Sequence, residues 1–274
     1  MLFGRKLTPL EREWKRLIRK EADMERAASR AASPKWKEEV EARVPKKVLA
    51  GLQSAFSKGF SMVFQHGTKL LEKTYRADDL RRQYSYSDRA VMDSGTRRDL
   101  RKLKTNSQTA QLGNLAITTV EGIGLGALGV GIPDIVLFLG MLLKGIYETA
   151  LRFGFVYDTP QERLLILKMM EAALSKGEDR IRCNAEVERL LVSDQVPTEE
   201  DWKEQLQTTA NAFAVDMLLV KFVQGLPVVG MLGGAANPIY YNKVLRYVQL
   251  KYQKRYLLAV AKRKGIRLNA VCSA

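Results

Sequence analysis

Metal and thiol chemistry have little to work with in this chain of 274 residues. It holds one histidine, His66, and two cysteines, Cys183 and Cys272, with no C-x-x-C. A nitrogen–sulfur metal site needs about four such ligands at workable spacing, so no metal and no cofactor is expected. A single histidine also removes most Ser-His and Cys-His nucleophile arrangements. Gly-x-Ser-x-Gly and the P-loop pattern are missing. The opening Met1-Leu-Phe-Gly-Arg-Lys has no apolar h-region, which argues against a signal peptide and for a reducing, cytoplasmic setting. Strict apolar–polar alternation is scarce, so the chain reads as mainly helical.

Negative charge is in short supply. Forty-five Lys and Arg face 30 Asp and Glu, a net +15. Residues 1–106 carry +12, residues 107–236 carry −6, and residues 237–274 carry +9 with no carboxylate. An apolar, slightly acidic middle thus lies between basic flanks. That asymmetry favours a polyanionic partner, anionic lipid or nucleic acid, over a surface that is basic only for solubility. No helix-turn-helix, zinc-finger or RNA-recognition signature is present, so no nucleic-acid partner is expected.

Helix starts are well marked. Thr8-Pro9-Leu10-Glu11 combines an N-cap, a proline at the first helical position and a capping-box glutamate. Ser33-Pro34 ends that helix, and a second follows from about Lys35 to Pro45. Val48, Leu52, Phe56, Phe60 and Phe64 predict an amphipathic helix over 46–75. Residues 76–106 read as a loop with a short helix from about Asp88 to Lys104. Helices follow over about Gln108–Gly122 and Asp134–Phe153. Lys144, Glu148 and Arg152 make a polar stripe on the second of these. Thr159-Pro160-Gln161-Glu162 starts the next, to about Lys176. Others are expected over Arg182–Leu191, over Glu199–Gln224 after the cap Thr198, and over Ile239–Lys264.

Two glycine-rich stretches interrupt this pattern. "EGIGLGALGVGIPDI", residues 121–135, contains a G-x-G-x-x-G. A dinucleotide-binding turn would put Pro133 in the second turn of its phosphate helix, where it removes a donor and clashes, and no βαβ unit follows. Two readings stay open. The glycines could let helices pack closely in a soluble core, or the stretch could enter a bilayer. Gly122 to Leu143 is 22 residues with one ionisable group, Asp134, long enough to cross a hydrocarbon core of about 30 Å. The glycines and Asp134 oppose a plain span. The second stretch, "QGLPVVGMLGGAANPIYY" at 224–241, is similar. Both read as glycine-kinked apolar hairpins, shallow rather than spanning. Gly124, Gly129, Ile132, Pro133, Pro227, Gly230, Met231 and Gly234 would be their membrane or ligand contacts.

The last helix sorts Tyr241, Leu245, Val248, Tyr252 and Tyr256 to one face. Lys243, Arg246, Lys251, Lys254 and Arg255 fall on the other and are expected to touch lipid headgroups. A core helix with a solvated basic face is the alternative. Glu121, Asp134, Lys144, Asp216 and Asn237 are candidate buried polar residues, the acids pairing with Lys144, Arg152 or Lys221. An enzyme using Asp134 and Asp216 has no further support. His66 reads as packed or capping.

Two blocks carry a family resemblance. "GIGLGALGVGIPDIVLFLGMLLKGIYETALRFGFVYDTPQERLLIL", residues 122–167, and "GLPVVGMLGGAANPIYYNKVLRYVQLKYQKRYL", residues 225–257, are similar to the EcsC family. Gly124, Gly129, Pro133 and Asp134 match the first motif. Pro227, Gly230, Gly234 and Asn237 match the second. Gly131-Ile132 before the proline departs from the family's pattern. The resemblance covers about residues 46–262 and implies no enzymatic activity, with a link to membranes or transport. The expectation is therefore an all-α chain: a basic helical extension over 1–45, one EcsC-like domain over 46–264, and a tail. It would be a non-enzymatic accessory or binding protein, peripheral or monotopic on the cytoplasmic face of an anionic membrane, with a membrane protein as a further possible partner. The alternative is a soluble helical protein that binds an apolar small molecule or a transporter subunit.

Overall fold

The computed structural model describes residues 6–30, 45–108, 132–224 and 236–268. Among the described residues every regular element is a helix, and no strand occurs. Helix α1 spans Pro9–Arg30, α2 Lys46–Met62, α3 Thr68–Glu72, α4 Ala77–Asp93 and α5 Arg97–Gln108. Helix α6 spans Ile132–Arg152, α7 Pro160–Leu174, α8 Gly177–Leu190, α9 Glu199–Gln224 and α10 Ala236–Arg263. The helix expected from Lys35 and most of that over Gln108–Gly122 lie outside the described residues.

The starts follow from local chemistry. The backbone N–H of Glu11 donates to Thr8 Oγ1 at 3.2 Å, and Glu11 accepts from the Thr8 N–H at 2.7 Å. Thr198 and Asp201 repeat this reciprocal pair, satisfying donors that the first turn leaves open. At α7 only half of the box forms. Thr159 Oγ1 accepts from the Glu162 N–H, while the Glu162 carboxylate turns to Tyr252 and Arg255.

Two expectations need correction. The helix predicted over 46–75 breaks after Met62 into a π-helical turn, Val63–Gly67, before α3. Residues 76–106 are not mainly loop but form α4 and α5. Ser94-Gly95 separates them, with Gly95 in the left-handed region at φ +56°, and Thr96 caps α5 by exchanging hydrogen bonds with Asp99.

Helices α6 and α10 form the centre. Phe138, Leu139, Leu142, Leu143, Ile146 and Tyr147 of α6 have no accessible surface, each worth about 1.5–3 kcal/mol on burial. The apolar stretch Gly122–Leu143 therefore divides: from Ile135 onward it is protein core rather than lipid-facing. Phe56 and Phe60 of α2 pack on Phe213 of α9 at centroid distances of 5.3 and 5.5 Å. Helix α10 packs against α6, α7 and α1. Among the described residues, no helix is long and apolar enough to cross a membrane.

The boundary expected at residue 45 adjoins residues 31–44, which lie outside the described residues. Leu10, Trp14 and Leu17 of α1 are buried in the same core as α10. Helix α1 is part of the body rather than an extension from it.

Candidate functional site

Four of the five α10 cations expected at headgroups are engaged with carboxylates of the body. The sequence places them on a solvated face, but α10 is wrapped on nearly all sides. Lys251 has no accessible surface and pairs with Glu21 of α1 and Glu188 of α8. Lys254 pairs with the same two carboxylates, at 2.7 and 2.8 Å. Burial alone would raise the Glu21 carboxyl, but Lys251 and Lys254 hold it below its usual range. Arg255 donates to Glu162 at 2.7 Å and lies over the Phe155 ring at 4.3 Å. Lys243 reaches Asp216 at 2.9 Å. The headgroup role expected of Lys251 is overturned by its burial, and Lys243, Lys254 and Arg255 are committed to carboxylates. Arg246 alone of the five is exposed.

Asp216 is buried, as anticipated, at 2 % exposure. It pairs with Lys176, at 3.2 Å, and Lys243, while the side chain of Lys221, the partner expected from the sequence, lies outside the described residues. Burial draws the Lys243 ammonium below the usual lysine range; the Asp216 carboxylate opposes this, and the Lys176 and Arg180 charges add to it. Tyr240 donates to the Asp216 backbone carbonyl at 3.1 Å. The Lys144–Glu148–Arg152 stripe is present, with Lys144 2.8 Å and Arg152 4.0 Å from Glu148. Ile132, Pro133, Asp134 and Asn237 lie in the first turns of α6 and α10, where only the backbone is described. Gly124, Gly129, Glu121, Pro227, Gly230, Met231 and Gly234 lie outside the described residues.

Burial, then the adjacent Glu171, pushes the Cys183 thiol up to about 11, and Cys183 Sγ donates to Glu171 Oε1 at 3.1 Å. His66 is exposed in the π-helical turn and not packed. Among the described residues, no cluster of three or more His, Cys, Asp or Glu is placed to hold a metal. A cavity of about 230 Å³ opens between α7, α8 and α9, lined by Glu171, Ser175, Asp179, Arg182, Thr208 and Asn211. It falls below the usual 300–1,000 Å³ of a small-molecule site.

Sequence reasoning missed the cations of α1. Leu10, Glu13, Trp14, Leu17 and Glu21 are buried, while Arg12, Arg16, Arg19 and Lys20 are exposed. Glu25 holds the buried Arg180 guanidinium in two hydrogen bonds, 2.8 and 2.7 Å. Glu13, Glu21 and Glu25 of α1 thus face inward, while Asp23 and most of its cations face outward. The signal was present in the 3.6-residue spacing, but mixed charge on a helix reads as simply solvated.

No curated protein and no solved structure matches the chain. A family match covers residues 11–257, from the first turn of α1 into the last turns of α10. It therefore takes in α1 together with the body that α1 packs on. With its glycine–proline motifs, its all-helical body and this match along nearly the whole length, the chain belongs to the EcsC protein family.

Proposed function

We propose that the protein is a non-enzymatic accessory or binding protein that associates peripherally with anionic membranes on their cytoplasmic face. One observation carries this reading. Helices α6 and α10 run in the same direction, since Gly145 meets Tyr241 and Leu245 while Phe153 meets Tyr256. Their starts, at Ile132 and Ala236, therefore lie at the same end of the body. Each follows one of the two apolar glycine–proline stretches. Apolar segments that leave one end of a strongly basic protein suit shallow contact with a charged bilayer surface. The net charge of +15 adds a long-range attraction to such a surface.

Co-sedimentation with vesicles tests the proposal. The protein should pellet with vesicles containing phosphatidylserine at low salt, and not with phosphatidylcholine alone. High salt should release a purely electrostatic fraction, and a carbonate wash should separate surface binding from insertion. A protein that stays in the supernatant with anionic vesicles at low salt contradicts the proposal. The second reading, a soluble protein holding an apolar small molecule, draws on the α7–α8–α9 cavity and its apolar wall of Leu174, Ala212 and Val215.

A further inference from the structure

Resting on the membrane reading above, the geometry points to the outer face of α1, continued by α5, as the surface that docks on an anionic bilayer. This is a different set of residues from the apolar stretches and from the cations of α10.

The face is built by sorting. Helix α1 carries seven cations and five carboxylates along its length. Three of those carboxylates are turned to the body: Glu13 toward Gln253 and Lys104, Glu21 toward Lys251 and Lys254, and Glu25 toward Arg180. Outside lie Arg12, Arg16, Arg19 and Lys20, at the i, i+4, i+7, i+8 spacing of one helical side, with Arg16 also reaching Glu13 and with the exposed Asp23 next on that side, paired with Arg26. Helix α5 packs beside α1 and exposes Arg97, Arg98, Arg101 and Lys102. Its one acid, Asp99, is engaged at the helix cap with Thr96 and Ser94.

Lys20 of α1 feels the charges of Lys104 of α5 and Arg246 of α10. Burial, followed by those two charges, draws the Lys20 ammonium below the usual lysine range. Glu13 meets Lys104 at 3.5 Å and offsets part of the repulsion. An anionic leaflet offsets more of it.

Charge complementarity selects the occupant. Clusters of four to eight Lys and Arg on one side of an amphipathic helix are the usual footprint for acidic phospholipid headgroups. Exposed Leu7 stands beside the start of α1, an apolar group at the edge of the basic stripe. Single-stranded nucleic acid needs aromatic platforms for its bases. The one aromatic residue of α1, Trp14, is buried, and α5 has none.

The test is the triple variant Arg12→Gln/Arg19→Gln/Lys20→Gln in the full-length protein. Its partition onto phosphatidylserine-containing vesicles should fall at least about 10-fold at low salt. Its melting temperature should hold or rise, because the residues are exposed and Lys20 loses its repulsion. The control Arg81→Gln/Arg82→Gln removes two exposed cations of α4 and should change the partition by less than about 2-fold. If wild type binds these vesicles and the triple variant binds equally well, this surface is wrong and the membrane reading survives. If wild type ignores anionic vesicles, both fall. If wild type instead retains a duplex or single-stranded oligonucleotide and the triple variant loses it, the bilayer is the wrong occupant.

Discussion

Lys251 is the residue whose position is hardest to sustain without its neighbours. An ammonium removed from water loses several kcal/mol of hydration, which only well-placed carboxylates offset. Here Glu21 and Glu188 do so, and the Tyr247 ring lies 5.1 Å away. Removing the lysine leaves two carboxylates with Lys254 as their remaining lysine. Lys251→Ala should lower the unfolding free energy by roughly 3 kcal/mol in denaturant titrations. Arg246→Ala, on the exposed side of the same helix, should stay within about 0.5 kcal/mol. Equal effects for the two variants would show that Lys251 is not a buried ion. None of this could be read from the sequence. Lysine is almost never fully buried unless paired, and Glu21 lies 230 positions away. Spacing along α10 separates its faces but does not say which face meets protein.

At the scale of the element, termini were legible and interruptions were not. Thr8, Thr159 and Thr198 announce α1, α7 and α9 because capping depends on residues within one turn. The α4–α5 break was equally local, since Ser94-Gly95-Thr96 with Asp99 is a stop followed by a capping box. It was hidden by the charged composition around it. The π-helical turn at Val63–Gly67 has no comparable signature. Close helix approach gives a test. A Cβ at Gly145 would stand 2.5 Å from Tyr241 Oη and 2.9 Å from Leu245 Cδ1. Overpacking there costs about 1–3 kcal/mol, enough to outweigh the roughly 1 kcal/mol of helix propensity gained. Gly145→Ala should therefore lower the melting temperature. Gly51→Ala, with nothing within 4 Å, should raise it by calorimetry or circular dichroism. If both variants raise it, the α6–α10 contact is looser than described.

Across the whole molecule, buried and half-buried carboxylates tie distant segments together. Glu21 joins α1 to Lys251 and Lys254 of α10, which also hold Glu188 of α8; Glu171 joins α7 to α8 and α9, and Asp88 joins α4 to α10. Burial opposes ionisation at each, but cationic or hydrogen-bonding partners leave all three below their usual carboxyl range. A carboxyl depressed by folding contributes its stability above the unfolded value, about 4 for Asp and Glu. That contribution is lost as pH falls through the lower, folded value. The unfolding free energy should thus hold from neutral pH to about 5, then fall steadily in acid. Denaturant titrations at a series of pH values check this, and a free energy unchanged at pH about 3 would contradict the three networks.

Composition and short-range pattern by themselves determined the helical class, most helix starts, the polar stripe Lys144–Glu148–Arg152 and the family, because each depends on residues a few positions apart or on motifs read in order. Only the tertiary structure decided which charges are internal. Pairing between α1, α8 and α10 turns Lys251 and Lys254 of α10 inward and leaves Arg12, Arg16, Arg19 and Lys20 of α1 in water. The reason is that burying a charge requires an opposite charge at about 3 Å, and the chain supplies it from the far end of its sequence.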